Sequence, residues 1–389
     1  VVSVVHALSG ADSEDDLRDR LAGDLAPPAR GALLEALELA TELYAGGKLG
    51  TGEDVLPHAL GMAMQLAALK LDADARLAAL LFSACDFLPE APEKLAARFG
   101  EPAAELVASL HRLKGLRPLT EAATRPEGAG DAKAQAEILR KMLLAMAADI
   151  RVVMLRLASR TQTLRWLTEH DTPERRDLSR ESLEIYAPLA NRLGVWQMKW
   201  EIEDLAFRFI EPATYKRIAK QLDEKRLERE SFIGAAVRRL EAELRRSGIA
   251  NAEIYGRPKH IYSIWNKMRQ KGLDFAEVYE VRALRIVVDE VKDCYTALGI
   301  VHALWQPIDG EFDDYIATPK DNDYRSIHTA VTGPDGRALE VQIRTQEMQD
   351  QAELGVAAHW RYKEGARQGG DYDEKIALLR SLLSWRDEV

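Results

Sequence analysis

A chain of 389 residues, 47% hydrophobic and 30% charged, is long enough for two or three domains and has an ordinary globular make-up. Its formal charge of −10 argues against a surface built wholly for nucleic acid but leaves room for a local basic pocket. No apolar run approaches the roughly 20 residues of a bilayer-spanning helix, and the opening "VVSVVHALSGADSEDD" lacks the order of a signal peptide. The two cysteines, Cys85 and Cys294, stand far apart and suggest reduced core thiols in a cytoplasmic protein. A first residue of valine fits numbering that begins inside a longer gene product.

From about Pro28 to Glu211 the chain reads as helix after helix, with apolar residues recurring at three and four positions in "ALLEALELATELY" and "LPHALGMAMQLAALKL". Pro and Gly break the pattern in "KGLRPLTEAATRPEGAGDA", which reads as a mobile loop. "QAEILRKMLLAMAADIRVVMLRLASRTQTLRWL" predicts one long buried helix, and "ESLEIYAPLANRLGVWQMKWEIEDLAFRFIEP" a helical hairpin. The charged stretch from Tyr215 to Arg246 predicts a solvated helical connector. After Gly248 strands interleave with helices: a strand, a Gly-Arg-Pro turn and a helix in "AEIYGRPKHIYSIWNKMRQKG", a β-rich run in "EVYEVRALRIVVDE", and a helix in "DCYTALGIVHALW". Two more helices close the chain.

"YRSIHTAVTGPDGRALEVQIRT" predicts a hairpin turning at Gly333-Pro334-Asp335-Gly336. Leu339, Val341 and Ile343 then point one way, and Glu340, Gln342 and Arg344 the other. With His328 and, at the edge, Tyr324, one face offers more polar groups than a merely wetted surface needs. The helix expected after Pro258 sets Ile261, Ile264, Trp265 and Met268 as its apolar stripe, and Lys259, Ser263 and Lys267 at i, i+4 and i+8 on another face. Such a row suits a polyphosphate, although alone it describes a solvated face equally. Glu280 opens the strand "YEVRALRIVV", with Arg282 on its face and Arg285 on the other by alternation. If that strand neighbours the hairpin, Glu280 and Glu340 converge, as a Mg²⁺-dependent phosphoryl-transfer site requires. Lys320 in a loop, Tyr324 as a base-stacking ring and His328 as a sugar or phosphate partner complete the set. No Walker-type glycine loop or dinucleotide fingerprint is present, so side chains would do the holding.

"YGRPKHIYSIWNKM", "DCYTALGIVHALWQP", "EFDDYIATPK", "SIHTAV", "ALEVQIRT" and "QAELGVAAHWRYKEG" closely resemble the synthetase domain of RelA/SpoT homologues, the alarmone synthetases of the bacterial stringent response, and the resemblance covers nearly the whole chain. It implies an all-helical HD-type domain (1–200), a helical connector (201–247) and a nucleotidyltransferase-like mixed β-sheet domain (248–389). It implies an enzyme, a GTP/GDP pyrophosphokinase, that moves the β,γ-pyrophosphate of ATP to the ribose 3′-hydroxyl of GDP or GTP with Mg²⁺ as cofactor. Arg257 and Arg285 resemble the pair that sandwiches adenine, and Lys259, Ser263 and Lys267 the ATP phosphate ligands. Tyr324 resembles the guanine-stacking tyrosine, with Lys320, Asn322, His328 and Gln342 around the acceptor. Glu340 and Glu280 resemble the catalytic, Mg²⁺-binding carboxylates.

The chain departs from the family pattern in two places in this domain. Glu280 stands where the family has aspartate, which moves the carboxylate by roughly 1.5 Å. Asp323 replaces a glycine beside Tyr324, and aspartate adopts positive φ only at a cost. These departures keep a second reading open, a catalytically impaired module that binds nucleotides or the ribosome. The acidic "EFDD" matches dedicated RelA-type synthetases. In the helical half, His58 sits at the first ligand position of a manganese hydrolase site, but Phe82, Ser83 and Ser159 stand where the next three ligands belong. Phenylalanine cannot bind a hard cation and neutral serine binds it poorly, so a degenerate hydrolase is expected. Ribosome and uncharged tRNA are expected partners through a C-terminal region absent from this chain, and no membrane contact is expected.

Overall fold

The computed structural model describes residues 14–114, 149–224, 226–257, 259–275, 278, 282–320 and 322–354. The contacts divide the chain between Arg192 and Leu193.

The first unit is all helix: α1 (Glu14–Ala22), α2 (Pro27–Leu43), α3 (Val55–Ala68), α4 (Ala73–Leu80), α5 (Ala84–Phe87), α6 (Ala91–Phe99), α7 (Glu101–Lys114), α8 (Ile150–Trp166), α9 (Arg175–Glu181) and α10 (Ala187–Arg192). A π-helical turn, Ser182–Tyr186, joins the last two. Helix α3 is buried nearly all round, so it serves as the central rod. It crosses α8 so closely at Gly61 that a β-carbon there would collide with the Gln162 carboxamide. The long helix expected over 135–167 does not run through: Asp149 has extended backbone and its carboxylate accepts from Arg151 N at 2.9 Å, so α8 starts afresh with its own cap. The expected loop at 114–132 lies almost wholly outside the described residues.

The second unit runs from Leu193 to Gly355. It contains α11 (Trp196–Ile210), α12 (Pro212–Glu224), α13 (Arg226–Arg246), β1 (Glu253–Gly256), α14 (Ile261–Lys271), β2 (Ala283–Val288), α15 (Val291–Leu304), β3 (Gln306–Asp314), β4 (Ile327–Thr332), β5 (Ala338–Thr345) and α16 (Gln346–Leu354). The strands form one sheet in the order β1-β2-β5-β4-β3. β2 and β5 run parallel and every other pair antiparallel, which makes the sheet mixed as expected.

Leu284, Ile286, Val288, Ile327, Val331, Leu339, Val341 and Ile343 line one sheet face, against Cys294, Ala297 and Val301 of α15 and Phe232, Ala236, Leu240 and Leu244 of α13. The charged helix α13 is therefore not a solvated rod. Every fourth residue from Phe232 to Leu244 is apolar and buried, and the charges cover its outer side. The expected stripe of α14 also packs, with Ile264, Ile261, Trp265 and Met268 meeting Ile218 and Leu222 of α12. Its start differs from expectation: α14 begins at Ile261 with His260 as N-cap, three residues after Pro258. Lys259 thus precedes the helix, and only Ser263 and Lys267 share a helical row.

Candidate active site

The face of the sheet opposite the core is polar and nevertheless buried: Gln342 and Arg344 are each 1% exposed. Register explains the assembly. Gln342 of β5 stands opposite Arg285 on parallel β2 and opposite His328 on antiparallel β4, so three strands lay these side chains in one row. The turn forms as expected, with Gly336 at φ +70° and Gly333 N donating to Arg337 O at 2.7 Å. A buried polar face must largely satisfy itself internally, and most of this one does. Gln342 Nε2 donates to Glu340 Oε1 at 2.8 Å, while Gln342 Oε1 accepts from Arg344 Nη2 at 3.1 Å and Arg285 Nη2 at 3.5 Å. That amide has one orientation only, because a carboxylate accepts and guanidinium groups donate. Arg344 Nη2 also donates to Tyr324 Oη at 3.0 Å, and the tyrosine hydroxyl donates in turn to His328 Nε2 at 2.8 Å. The imidazole proton is then on Nδ1, which faces Glu340 Oε1 at 4.0 Å.

Beside this network lies a pocket of about 230 Å³, lined among others by Arg257, Arg285, Lys320 and Arg344. Burial pushes Arg344 down to about 10, with Arg285 and Arg257 adding to the effect. It lowers Arg257 in the same direction, Arg285 reinforcing and Glu340 opposing. Burial, against the pull of Glu340, holds His328 neutral by taking it down to about 3. Four cations line this space, of which Arg285 and Arg344 are buried, Arg257 is half-buried and Lys320 is exposed. Such a site attracts phosphate groups. Glu340 stands beside it, and its Oε2 is buried with no hydrogen-bond partner among the described residues. From α14, Lys267 also feels Glu340; burial lowers its ammonium, and Glu311 and Glu340 oppose that.

The structure thus brings together Arg257, Arg285, Lys320, Tyr324, His328, Gln342 and Glu340. Arg282 and Arg285 fall on opposite faces, as alternation predicts. The strand begins at Ala283, and Arg285 shares the face of Glu340 and Gln342 with no bulge, while Arg282 turns to the Phe232 side, 5.6 Å from its ring. Glu280, the other proposed metal carboxylate, lies outside the described residues. The strands expected to neighbour each other do so, and Glu340 N donates to Arg282 O at 3.0 Å. Lys259 and Ser263 do not line the pocket. Asn322 holds the loop rather than the space, its Oδ1 accepting from Tyr324 N at 3.3 Å. Trp196, Gln197 and Trp200 of α11 line the pocket and were not anticipated; the signal available was an indole pair at i, i+4 in "VWQMKW".

Asp323 adopts left-handed backbone, φ +56°, as a glycine replacement must. Asp323→Gly is expected to stabilise this unit by about 0.5–1 kcal/mol, since only glycine holds that conformation without strain. Thermal melting checks it; an unchanged or lower midpoint would contradict it.

In the helical unit, His58 is 3% exposed and both ring nitrogens are engaged. Nδ1 meets Glu53 Oε2 at 2.7 Å and Nε2 meets Ser159 Oγ at 2.9 Å. The Phe82 ring stacks on the imidazole at 5.1 Å, and Ser83 Oγ donates to Asp86 Oδ2 at 2.5 Å. Among the described residues no three His, Cys, Asp or Glu side chains are grouped to hold a metal ion. Burial works against the charge on Glu53, but His58 and the hydroxyls of Thr51 and Thr163 outweigh it and hold the carboxyl below its ordinary range. A depressed carboxyl stabilises above its unfolded value, about 4.3, and that contribution is lost as pH falls through the folded one. Glu53→Gln is therefore expected to cost stability at neutral pH and progressively less below about pH 4. Denaturant melts at pH 7 and pH 3 measure the narrowing.

The site is a cationic pocket beside a carboxylate on a mixed sheet, a lining suited to phosphate groups, in a chain that also has an all-helical unit. Residues 36–196 match the family described as HD domain, and residues 256–367 the region found in RelA / SpoT proteins. The chain is 47% identical over 327 residues to a GTP pyrophosphokinase of Photobacterium angustum, covering 83% of this chain and 43% of that one. It is 40% identical over 361 residues to a probable guanosine-3′,5′-bis(diphosphate) 3′-pyrophosphohydrolase of Synechocystis, covering 92% and 46%. A solved small alarmone synthetase 1 from Bacillus subtilis, bound to its product pppGpp, aligns at 24% identity and TM-score 0.29, over 41% of this chain and 89% of that one. The chain belongs to the RelA/SpoT homologues, and it spans less than half the length of these two curated relatives.

Proposed function

We propose that this chain is a (p)ppGpp synthetase that transfers the pyrophosphate of ATP to the 3′-hydroxyl of GDP or GTP, and that its helical unit has lost the hydrolase activity. One observation carries the synthetase reading: a carboxylate, Glu340, with a buried oxygen that has no partner among the described residues, beside a pocket lined by four cationic side chains. Arg257 and Arg285 would take the adenine, with Lys259, Ser263 and Lys267 on the donor phosphates. Tyr324 would stack on guanine, with Lys320, Asn322, His328 and Gln342 about the acceptor. The acceptor oxygen attacks the β-phosphorus, the bond to the α–β bridging oxygen breaks, AMP leaves, and Glu340 takes the hydroxyl proton. Most of the acceleration would come from holding the two nucleotides together. The free Glu340 oxygen fits Mg²⁺, which accepts few carboxylates and completes its shell with water and phosphate. Glu340, with Glu280, would hold that ion, which when bound offsets phosphate charge. His58, Phe82, Ser83 and Ser159 support the loss of hydrolysis, since the histidine is occupied by Glu53 and Ser159.

We place the protein in the cytoplasm, with ribosome and uncharged tRNA as partners of a longer chain. No helix among the described residues is long and apolar enough to cross a membrane. Incubation with ATP, GDP or GTP, and Mg²⁺ should release AMP together with ppGpp or pppGpp, and added ppGpp with Mn²⁺ should persist. Nucleotide binding without AMP release would favour the impaired module; decay of ppGpp would restore the hydrolase.

A further inference from the structure

Helix α11 carries Trp196, Trp200 and Asp204 at four-residue spacing, hence on one face, and each meets the site. The edge of Trp196 meets Tyr324 at 5.7 Å. Trp200 has two partners: the Arg257 guanidinium carbon is 4.9 Å from its ring centre, and the His260 ring stacks at 4.8 Å and 19°. Behind them, Asp204 fixes the stack. Its Oδ2 meets His260 Nδ1 at 3.2 Å and its Oδ1 accepts from Tyr262 N at 2.8 Å, which caps α14 from outside that helix.

Arg257 differs from the other cations of the pocket. Arg285 and Arg344 are hydrogen-bonded to Gln342, and Lys320 sits 4.2 Å from the Tyr315 ring centre. Among the described residues the Arg257 guanidinium has no hydrogen-bond or ion-pair acceptor; the Trp200 face is what it rests on. The carboxylate that attracts it most is Glu340. Were Arg257 to swing onto Glu340, the pair would silence both groups: a donor fork closed and the free carboxylate oxygen covered.

We propose that Trp200 is a positioning residue, whose indole face, backed by His260 and Asp204, holds the Arg257 guanidinium over the pocket and away from Glu340, open to the donor nucleotide. Naming that nucleotide as ATP rests on the synthetase reading; the contact itself does not. A desolvated cation–π contact corresponds to roughly a tenfold change in affinity.

The test compares Trp200→Leu, which keeps apolar volume without a π face, with Trp200→Phe, which keeps the face. Calorimetric binding of a non-hydrolysable ATP analogue and of GDP is measured for both variants and the native chain, each checked for an unaltered melt. The expected result is ATP-analogue binding about tenfold weaker in Trp200→Leu, GDP binding within about twofold, and Trp200→Phe within about threefold of native for both. Native-like ATP-analogue binding by Trp200→Leu overturns the proposal. So does equal loss of both nucleotides that phenylalanine fails to restore, which marks a merely structural role. A native chain that binds the analogue but releases no AMP, with the selective loss intact, removes the synthetase reading and leaves this one standing; a native chain that binds no ATP analogue removes both.

Discussion

Glu340→Gln is expected to lower the rate of AMP and ppGpp formation by roughly 10²–10⁴-fold, the range associated with a lost proton acceptor, while ATP and GDP binding stay within about threefold of native. The geometry makes the change specific. Gln342 Nε2 is a donor and needs an acceptor at Oε1 of residue 340. The new carboxamide must therefore set its oxygen there and turn its NH₂ to the place of the unpartnered Oε2. A donor would replace the one oxygen able to take a proton or bind a cation, at nearly constant volume. The Arg344–Tyr324–His328 chain needs nothing from Oε2 and should persist. Single-turnover kinetics and calorimetry on one preparation check both halves. A variant that loses binding as well would assign Glu340 to nucleotide capture instead.

The second large effect is on stability. Arg76→Leu is expected to destabilise the helical unit by about 2–6 kcal/mol, because two buried backbone carbonyls would lose their donor. Arg76 is fully buried, yet all its reach is used. Nε donates to Leu71 O at 2.9 Å, Nη1 to Leu21 O at 2.9 Å, and Nη1 and Nη2 to the two oxygens of Asp24 at 2.6 and 2.8 Å. Asp24 is half exposed and can recover water, but Leu21 and Leu71 are buried, so their carbonyls would be left unpaired. Each such orphan costs about 1–3 kcal/mol. Lysine cannot substitute, because its single nitrogen cannot stand at the separate positions of Nε, Nη1 and Nη2. Equilibrium urea unfolding measures the loss; a change under about 1 kcal/mol would mean that solvent reaches those carbonyls.

The hairpin was legible in the sequence because its turn residues and strict alternation agree, so both faces of β5 could be assigned residue by residue. That its polar face is buried was not legible, since alternation describes a wetted face equally well. Parity separated Arg282 from Arg285 correctly, but which of the two shares the face of Glu340 depends on the register of β2 against β5, which alternation alone does not give. Trp196 and Trp200 look like any apolar stripe of a helical hairpin; their place against Tyr324 and Arg257 depends on packing that no periodicity encodes. In α13 the buried row Phe232, Ala236, Leu240 and Leu244 was written in the chain, but the charges between drew the eye. At Asp149 a capping residue ended one apolar pattern and began another, and the continuous run of hydrophobes concealed it.

Strand β5 is the last strand among the described residues yet sits at the middle of the sheet, joining β2 to β4. As the polypeptide emerges during synthesis, β2 has no permanent partner on that flank until some fifty residues later. Until then the nascent sheet consists of two separate fragments, each with a strand edge of unpaired backbone groups open to misassociation with neighbouring chains. Arg285 waits for Gln342 over the same interval. Closure of the sheet sets the row that floors the pocket, so a chain truncated before Thr345 would lack both.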